Sequence, residues 1–532
     1  MTGSGSTVAA GRLLQLALRR DRVMIPVWLY ALVAAVVGSA LSYRKLYPTE
    51  AARREFGQTA ESNGATRAFY GHVYAPDSVG GLTAWRLLAI GGALLAVFVV
   101  LLVIRHTRAE EQAGRIELLS AAVVGRAAPL AAAVLTAVIG LIAIAVLSAA
   151  GLMVIGLPVA GSLAFGAAWL GLGTVFAALA SVAAQLTQSA RTARGIALAI
   201  AGGCFGLRVI ADGSVSWLSW CTPFGWAQQV RPFAGNRWWV LILPLLATGL
   251  LMTIGFAMHA KRDLGAGLLP QRPGPARAGR ALGSATGLTI RLGRGSLVSW
   301  LAALCLYGLV IGGIASSVAE FTNGSKSTAD LLAKLGGQHG LVDAFLGATL
   351  GVCGLIAAGY GITAILRIRE EESSGRLEAI LATGVSRTRW LGSHLAFALV
   401  GTTALGLGTG LSVGFVHGLR THELGHQLGR VLVASAVQLP AIWLITALGV
   451  AVVGCLPRAV PAIWALIGAC AAISLLGPIV NAPRLVLDVS PFNQLPATPG
   501  AATPVAAISW ILLLTAAALV LAVVGFRRRD LG

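Results

Sequence analysis

Charge is the scarcest property of this chain. Asp, Glu, Lys and Arg make up 11% of its 532 residues, where a soluble protein carries about a quarter. Acid is rarer still, with 20 Asp and Glu against 40 Lys and Arg, and no Glu follows Glu423. The six cysteines do not form a disulfide framework: Cys204, Cys305, Cys353, Cys455 and Cys470 sit in apolar runs, and Cys221 alone lies in a polar stretch. No C-x-x-C pair offers a metal knuckle. The chain also has no G-x-x-x-x-G-K-[ST] loop to cradle phosphates, so no ATPase of that kind is built into it. No catalytic site, metal or cofactor is expected in this chain.

What the chain has instead is apolar length. Hydrophobic residues make up 56% of it and fall in runs such as "LLAIGGALLAVFVVLLVI" (87–104) and "AAISWILLLTAAALVLAVVGF" (506–526). Runs near or beyond ~18 residues read as membrane spans. Twelve are expected, near 23–42, 87–104, 128–155, 160–184, 195–211, 238–258, 298–317, 344–366, 391–415, 433–455, 459–479 and 505–526. The reading is an all-α polytopic membrane protein. Its start is not a cleavable signal: "GRLLQLALRRDR" (11–22) is amphipathic and basic and leads straight into a span, which suits an interfacial helix on the cytoplasmic face.

The net charge of +20 follows the positive-inside rule rather than a nucleic-acid surface. Seven Lys or Arg fall in 260–297, and "FRRRDLG" closes the chain. Loop 43–85 has five basic and four acidic residues, and 318–343 has two and three, so both are assigned outside. Both termini are then cytoplasmic, in a bacterial plasma membrane, with lipid as the surrounding partner.

The chain repeats itself. "RAEEQAGRIELLSAAVVGR" (108–126) aligns without gaps on "REEESSGRLEAILATGVSR" (369–387), with nine of nineteen positions identical at an offset of 261. "KRDLG" (261–265) is echoed by "RRDLG" (528–532). The chain therefore reads as two parallel six-span repeats related by a pseudo-twofold axis along the membrane normal. The halves are 1–265 and 298–532, joined by a basic cytoplasmic linker, 266–297, whose core "LLPQRPGPARAGRALGSATG" (268–287) is low in complexity.

Each repeated loop lies between the second and third span of its half. Glu110, Glu111, Gly114, Arg115 and Glu117 recur as Glu371, Glu372, Gly375, Arg376 and Glu378. Ile116 and Leu119, or Leu377 and Ile380, supply an apolar stripe. The glycines permit either close backbone approach or a helix break. A salt-laced helix end is the bland reading. Two copies at equivalent places favour a docking surface whose charges are solvated until a partner arrives.

The pattern E-E-x-x-G-R-[IL]-E after the second span resembles the ABC-2 class of ATP-binding-cassette permeases, most of all its duplicated polyketide-antibiotic and multidrug exporters. "SWCTPFGWAQQVRPFAGNRWW" (219–239) is similar to that group's outer segment before the sixth span. The second outer segment, "LVLDVSPFNQLPATPG" (485–500), keeps Ser-Pro-Phe and loses the tryptophans. The resemblance implies export of hydrophobic compounds, with each loop serving as a coupling helix. Its contacts would be Glu110, Glu111, Gly114, Arg115 and Glu117, with Glu371, Glu372, Gly375, Arg376 and Glu378. It also implies a separate ABC ATPase, in two copies, holding ATP and Mg. "KLGGQ" (334–338) resembles the ABC signature but lacks its serine.

Two rival readings are weighed against this one. A proton-driven pump needs ionisable groups within the membrane. The spans hold no Glu, Asp212 stands four residues after Arg208 as a structural pair, and His394 reads as a packed histidine. A zinc protease is suggested by "THELGH" (421–426), since His422-Glu423-x-x-His426 matches H-E-x-x-H. That site lacks a third ligand other than Asp488 and sits in a polar outer loop, so an incidental match is preferred. Trp217, Trp220, Trp226, Trp238 and Trp239 read as an outer aromatic belt or a gate.

Overall fold

In a computed structural model, residues 8–528 are described, except 63, 121–123, 214–215, 270–276, 278, 319–336, 457–458, 461, 477–482, 496–498 and 500–503. The described residues form helices and turns with no strand. The chain divides into two compact units, Met1–Pro273 and Gly274–Gly532.

In the first unit α1 (Ala10–Arg20) is a short basic helix and α2 (Met24–Leu46) the first long apolar one. The elbow between them is pinned by Asp21, fully buried, which pairs with Arg105 at 3.0 Å and with His106. Then come α3 (Glu50–Ser62) and α4 (Gly64–Tyr70), inside the segment read above as an outer loop. α5 (Val79–His106), α8 (Ala128–Val154), α9 (Val159–Leu186), α10 (Ala190–Gly213) and α12 (Ile242–Lys261) complete the bundle. Between them run the short α6 (Arg108–Gln112), α7 (Arg115–Ser120) and α11 (Pro223–Gln229).

α5 and α9 carry the core. Of their apolar windows 72% and 67% are buried, against 17% for α2 and α12. Leu245, Leu246 and Leu250 of α12 are instead more than 60% exposed. Such a leucine surface suits lipid rather than water.

The second unit repeats this order with fewer breaks. α13 (Ala285–Val318) is one helix where the first unit has an elbow, and it takes in residues 285–297, read above as linker. α14 (Gly337–Ser373) and α15 (Arg376–Leu381) correspond to α5, α6 and α7. α16 (Arg387–Arg420) follows, then α17 (Leu424–Val437) and α18 (Leu439–Cys455), which divide one expected span just before Pro440. α19 (Ala462–Leu476), the short α20 (Arg484–Leu487) and α21 (Pro491–Gln494), and α22 (Val505–Arg528) close the unit.

Among the described residues eleven helices are long and apolar enough to cross a membrane, with α17 and α18 counted together over Leu424–Cys455. The expected span at 459–479 is the exception: the helix described there covers Ala462–Leu476, and 461 and 477–482 lie outside the described residues. This is the architecture of a polytopic α-helical membrane protein.

Candidate functional site

The repeated loops fold alike at their tips. In the first, α5 breaks at Thr107, α6 makes one turn and a half, and Gly114 reverses the chain into α7 with φ +71°. In the second, α14 runs unbroken to Ser373, and Gly375 turns the chain into α15 with φ +70°. A Cβ on either glycine would meet no heavy atom within 4 Å. Of the two roles open to these glycines, the structure selects the left-handed break, which costs other L-residues roughly 1–2 kcal/mol.

Arg115 and Arg376 project from the tips with side chains 53% and 58% exposed, and Glu117 and Glu378 are exposed beside them. Leu377 is buried, and Ile116 and Ile380 are half-buried. The Leu119 side chain lies outside the described residues.

The paired glutamates behave differently. Glu111 is 8% exposed and is gripped by Arg262, Nη1 to Oε1 at 2.7 Å and Nη2 to Oε2 at 2.9 Å. The Gly265 N–H donates to Oε1 at 2.6 Å, and Arg108 Nη1 lies 2.9 Å from Oε2. Two buried guanidinium groups for one carboxylate leave a net positive charge. Neutral acceptors take up the remaining donors: Ala184 O from Arg108, Gln185 Oε1 from Arg262, and Ala266 O from both. The two sequence echoes, E-E-x-x-G-R and K-R-D-L-G, thus meet in one contact. Glu110 lies outside this network and pairs with Arg20 and, at 3.0 Å, with Arg115.

In the second loop Glu371 is the deeply held acid. Trp390 Nε1 donates to its Oε2 at 3.2 Å, and His394 Nε2 lies 3.3 Å from the same oxygen. Glu372 pairs with Arg369 at 3.0 Å. Arg529, the counterpart of Arg262, lies outside the described residues. The expectation that the loop charges are solvated therefore fails at Glu111 and Glu371, which partners on neighbouring helices draw inward, and at Glu372, which Arg369 covers from one turn earlier in the same helix.

Sequence reasoning missed Arg108, Arg262, Trp390 and His394 as parts of these loops. For Arg262 the echoed pentapeptide was the available signal. Arg208 and Asp212 do pair, at 3.3 Å.

The H-E-x-x-H stretch does not form a helical ligand pair. His422 is in the left-handed region, φ +59°, Glu423 is the N-cap, and α17 begins only at Leu424. The two histidines therefore do not stack on one helical face. His426 Nδ1 sits 3.7 Å from the exposed Glu423 carboxylate. Among the described residues no group of three or more His, Cys, Asp or Glu is placed to hold a metal ion.

Comparison with known proteins agrees with a permease. A family model described as the C-terminal domain of the multidrug efflux system permease Rv1217c matches residues 282–527. The multidrug efflux system permease protein Rv1217c of Mycobacterium tuberculosis (strain ATCC 25618 / H37Rv) is 41% identical over 529 residues, spanning 99% of this chain and 96% of that protein. On that full-length similarity, the chain belongs to the family of multidrug efflux system permeases that includes Rv1217c.

Proposed function

We propose that this permease is the membrane subunit of an ATP-driven exporter of ABC-2 type, built by fusion of two six-span halves. It moves hydrophobic compounds, such as antibiotics, out across a bacterial plasma membrane with both termini in the cytoplasm. ATP and Mg belong to a separate ABC ATPase, one copy at each repeated loop.

The observation that carries this reading is the shared loop geometry. Two segments far apart in sequence use a left-handed glycine, Gly114 or Gly375, to present an exposed Arg-x-Glu tip. Each loop is also tied to a long helix. Glu111 is locked to Arg262 at the end of α12, and Glu371 to Trp390 and His394 of α16. A push on either tip is thereby delivered to a transmembrane helix through buried polar contacts, which resist being broken.

Docking is tested at the tips, not at the buried glutamates. Glu117→Arg and Glu378→Arg leave the locks untouched. Each should preserve expression and unfolding temperature while weakening co-purification of the ATPase, because a like-charge clash at an interface costs several kcal/mol. Charge reversal at Asp77, near the opposite end of α5, is the control. Full ATPase association in both variants and in their combination would refute the assignment.

A proton-coupled pump is the second reading, and the buried Glu371–His394 pair is the observation that favours it. Transport that collapses with the proton gradient while ATP is maintained would select it.

A further inference from the structure

At the N-terminal end of α5, away from its E-E-x-x-G-R loop, lies a cavity of about 500 Å³. Small-molecule sites run from roughly 300 to 1,000 Å³. Its walls come from the 72–74 segment, the end of α10 and the stretch 217–237, all in the first unit.

The charges of this cavity do not balance internally. Asp212 is matched by Arg208 at 3.3 Å, and His72 Nδ1 by Glu61 at 2.7 Å. Arg231 and Arg237 also line the cavity, and among the described residues neither is in an ion pair. Arg231 reaches Gln229 Oε1 at 3.3 Å, with its guanidinium 4.1 Å from the centre of the Tyr74 ring. Two cations therefore face open space without a carboxylate.

Their placement is built rather than incidental. The Arg237 N–H donates to Val230 O at 2.7 Å, closing a tight loop whose neck sets positions 231 and 237 side by side. Within the loop Arg231, Phe233 and Asn236 all have left-handed backbone, with φ of +51°, +63° and +41°. L-residues hold such angles only where their surroundings impose them. Phe233 supplies the constraint. Its ring is wedged against Gly80 of α5 and Gly161 of α9, where a Cβ would come within 2.6 and 2.2 Å of it. The backbone that carries the two arginines is thus fixed before any ligand arrives, which lowers the cost of binding one.

The remaining walls are aromatic. Trp220 stacks on Trp239 with centroids 5.7 Å apart and planes at 14°. Trp217, 64% exposed, stands at the rim. We propose that this cavity binds a small ionised aromatic acid, its anionic group taken by Arg231 and Arg237 and its ring laid against Trp217 and Trp220. Guanidinium pairs match the geometry of carboxylate and sulfonate groups, and the indoles offer flat apolar faces. The site is single. The matching stretch 485–500 keeps Ser490-Pro491-Phe492 in register with Thr222-Pro223-Phe224 but has no Lys or Arg.

As a substrate class, aromatic acids rest on the exporter reading. As a binding site, the cavity is independent of it, because the test needs no ATPase. The full-length chain in uncharged detergent is titrated with 1-naphthoate, followed by calorimetry and tryptophan fluorescence. One saturable site is expected, with the uncharged 1-naphthamide about tenfold weaker, as loss of a charge-assisted contact implies. Arg237→Gln removes a side chain with no hydrogen bond among the described residues. It should weaken naphthoate about tenfold at an unchanged unfolding temperature, and Arg231→Gln should weaken it by a similar factor. Dihexanoyl-phosphatidylglycerol, an anion without a ring, should not displace the probe. Equal affinity for naphthoate and naphthamide, undiminished binding by Arg237→Gln, or displacement by that lipid would each overturn the proposal.

Discussion

Arg262 holds both carboxylate oxygens of Glu111 across 151 positions of sequence, and this contact joins the first repeated loop to the end of α12. Arg108 and the Gly265 N–H complete the grip. Glu111→Gln leaves two buried guanidinium groups without their carboxylate, at a cost of about 3–5 kcal/mol, and should lower the unfolding temperature of the isolated permease. Arg262→Gln should cost less, because Arg108 still neutralises Glu111. Glu111→Arg should be worse, since it sets three cations together. The exchange Glu111→Arg with Arg262→Glu should not restore stability, because Arg108 stays beside the new arginine. Wild-type unfolding temperatures in these variants would show the lock to be energetically idle.

The loop glycines give a milder prediction. Gly114→Ala and Gly375→Ala meet no clash, so each should cost only the roughly 1–2 kcal/mol of placing an L-residue in left-handed backbone. Asn, which tolerates that region better, should cost less. The scale of the loss, read from denaturant or thermal unfolding, separates conformational strain from packing. A larger, Asn-insensitive loss would point to packing.

The 71–78 segment should respond to pH. The hydrogen bond that His72 donates to Glu61 raises His72 above its ordinary 6.5, against the opposing pull of burial. Burial pushes Glu61 up, but hydrogen bonds from His72 and the Val73 N–H outweigh it and hold the carboxyl below its usual range. Asp212 and Arg67 also face His72, with opposite effects. A raised His72 contributes stability fully below about 6.5 and loses it as pH climbs through the raised value. A lowered Glu61 contributes above its ordinary value and loses it as pH falls through the lowered one. The Val73 amide, 2.8 Å from Glu61, should therefore be best protected from hydrogen exchange in mildly acidic solution, after correction for intrinsic exchange rates. Both partners are about one-third exposed, so the effect should stay within ~1 kcal/mol. His72→Gln should abolish the alkaline limb. A flat profile in the wild type would contradict the pairing.

Zinc should play no part in transport. With His422 in a left-handed turn ahead of α17, His422→Ala and His426→Ala should leave drug export and unfolding temperature unchanged. Stoichiometric zinc in the purified chain, lost in His422→Ala, would reopen the protease reading.

The sequence made the spans legible because lipid demands long uninterrupted apolar runs, and it made the loops legible because the same pattern stands in it twice. What it hid depended on distant partners. Arg108, one helical turn before Glu111, is visible in the sequence, but the burial of Glu111 also needs Arg262, 151 positions away. The helices α3 and α4 escaped notice because they are short and polar, with no apolar run to mark them. The division of α17 from α18 beside Pro440 was masked by continuous hydrophobicity. The loop 231–237 owes its shape to Phe233 packing on two glycines from other helices, a relation that no window of sequence contains.

Export is proposed to be powered by ATP on a separate subunit. The most direct test is uptake of a labelled hydrophobic drug by inside-out vesicles holding the permease, with and without its ATPase, in a protonophore. The account predicts uptake only when the ATPase and Mg-ATP are both present, undiminished by the protonophore. Uptake by the permease alone, driven by a proton gradient and abolished by the protonophore, would contradict it.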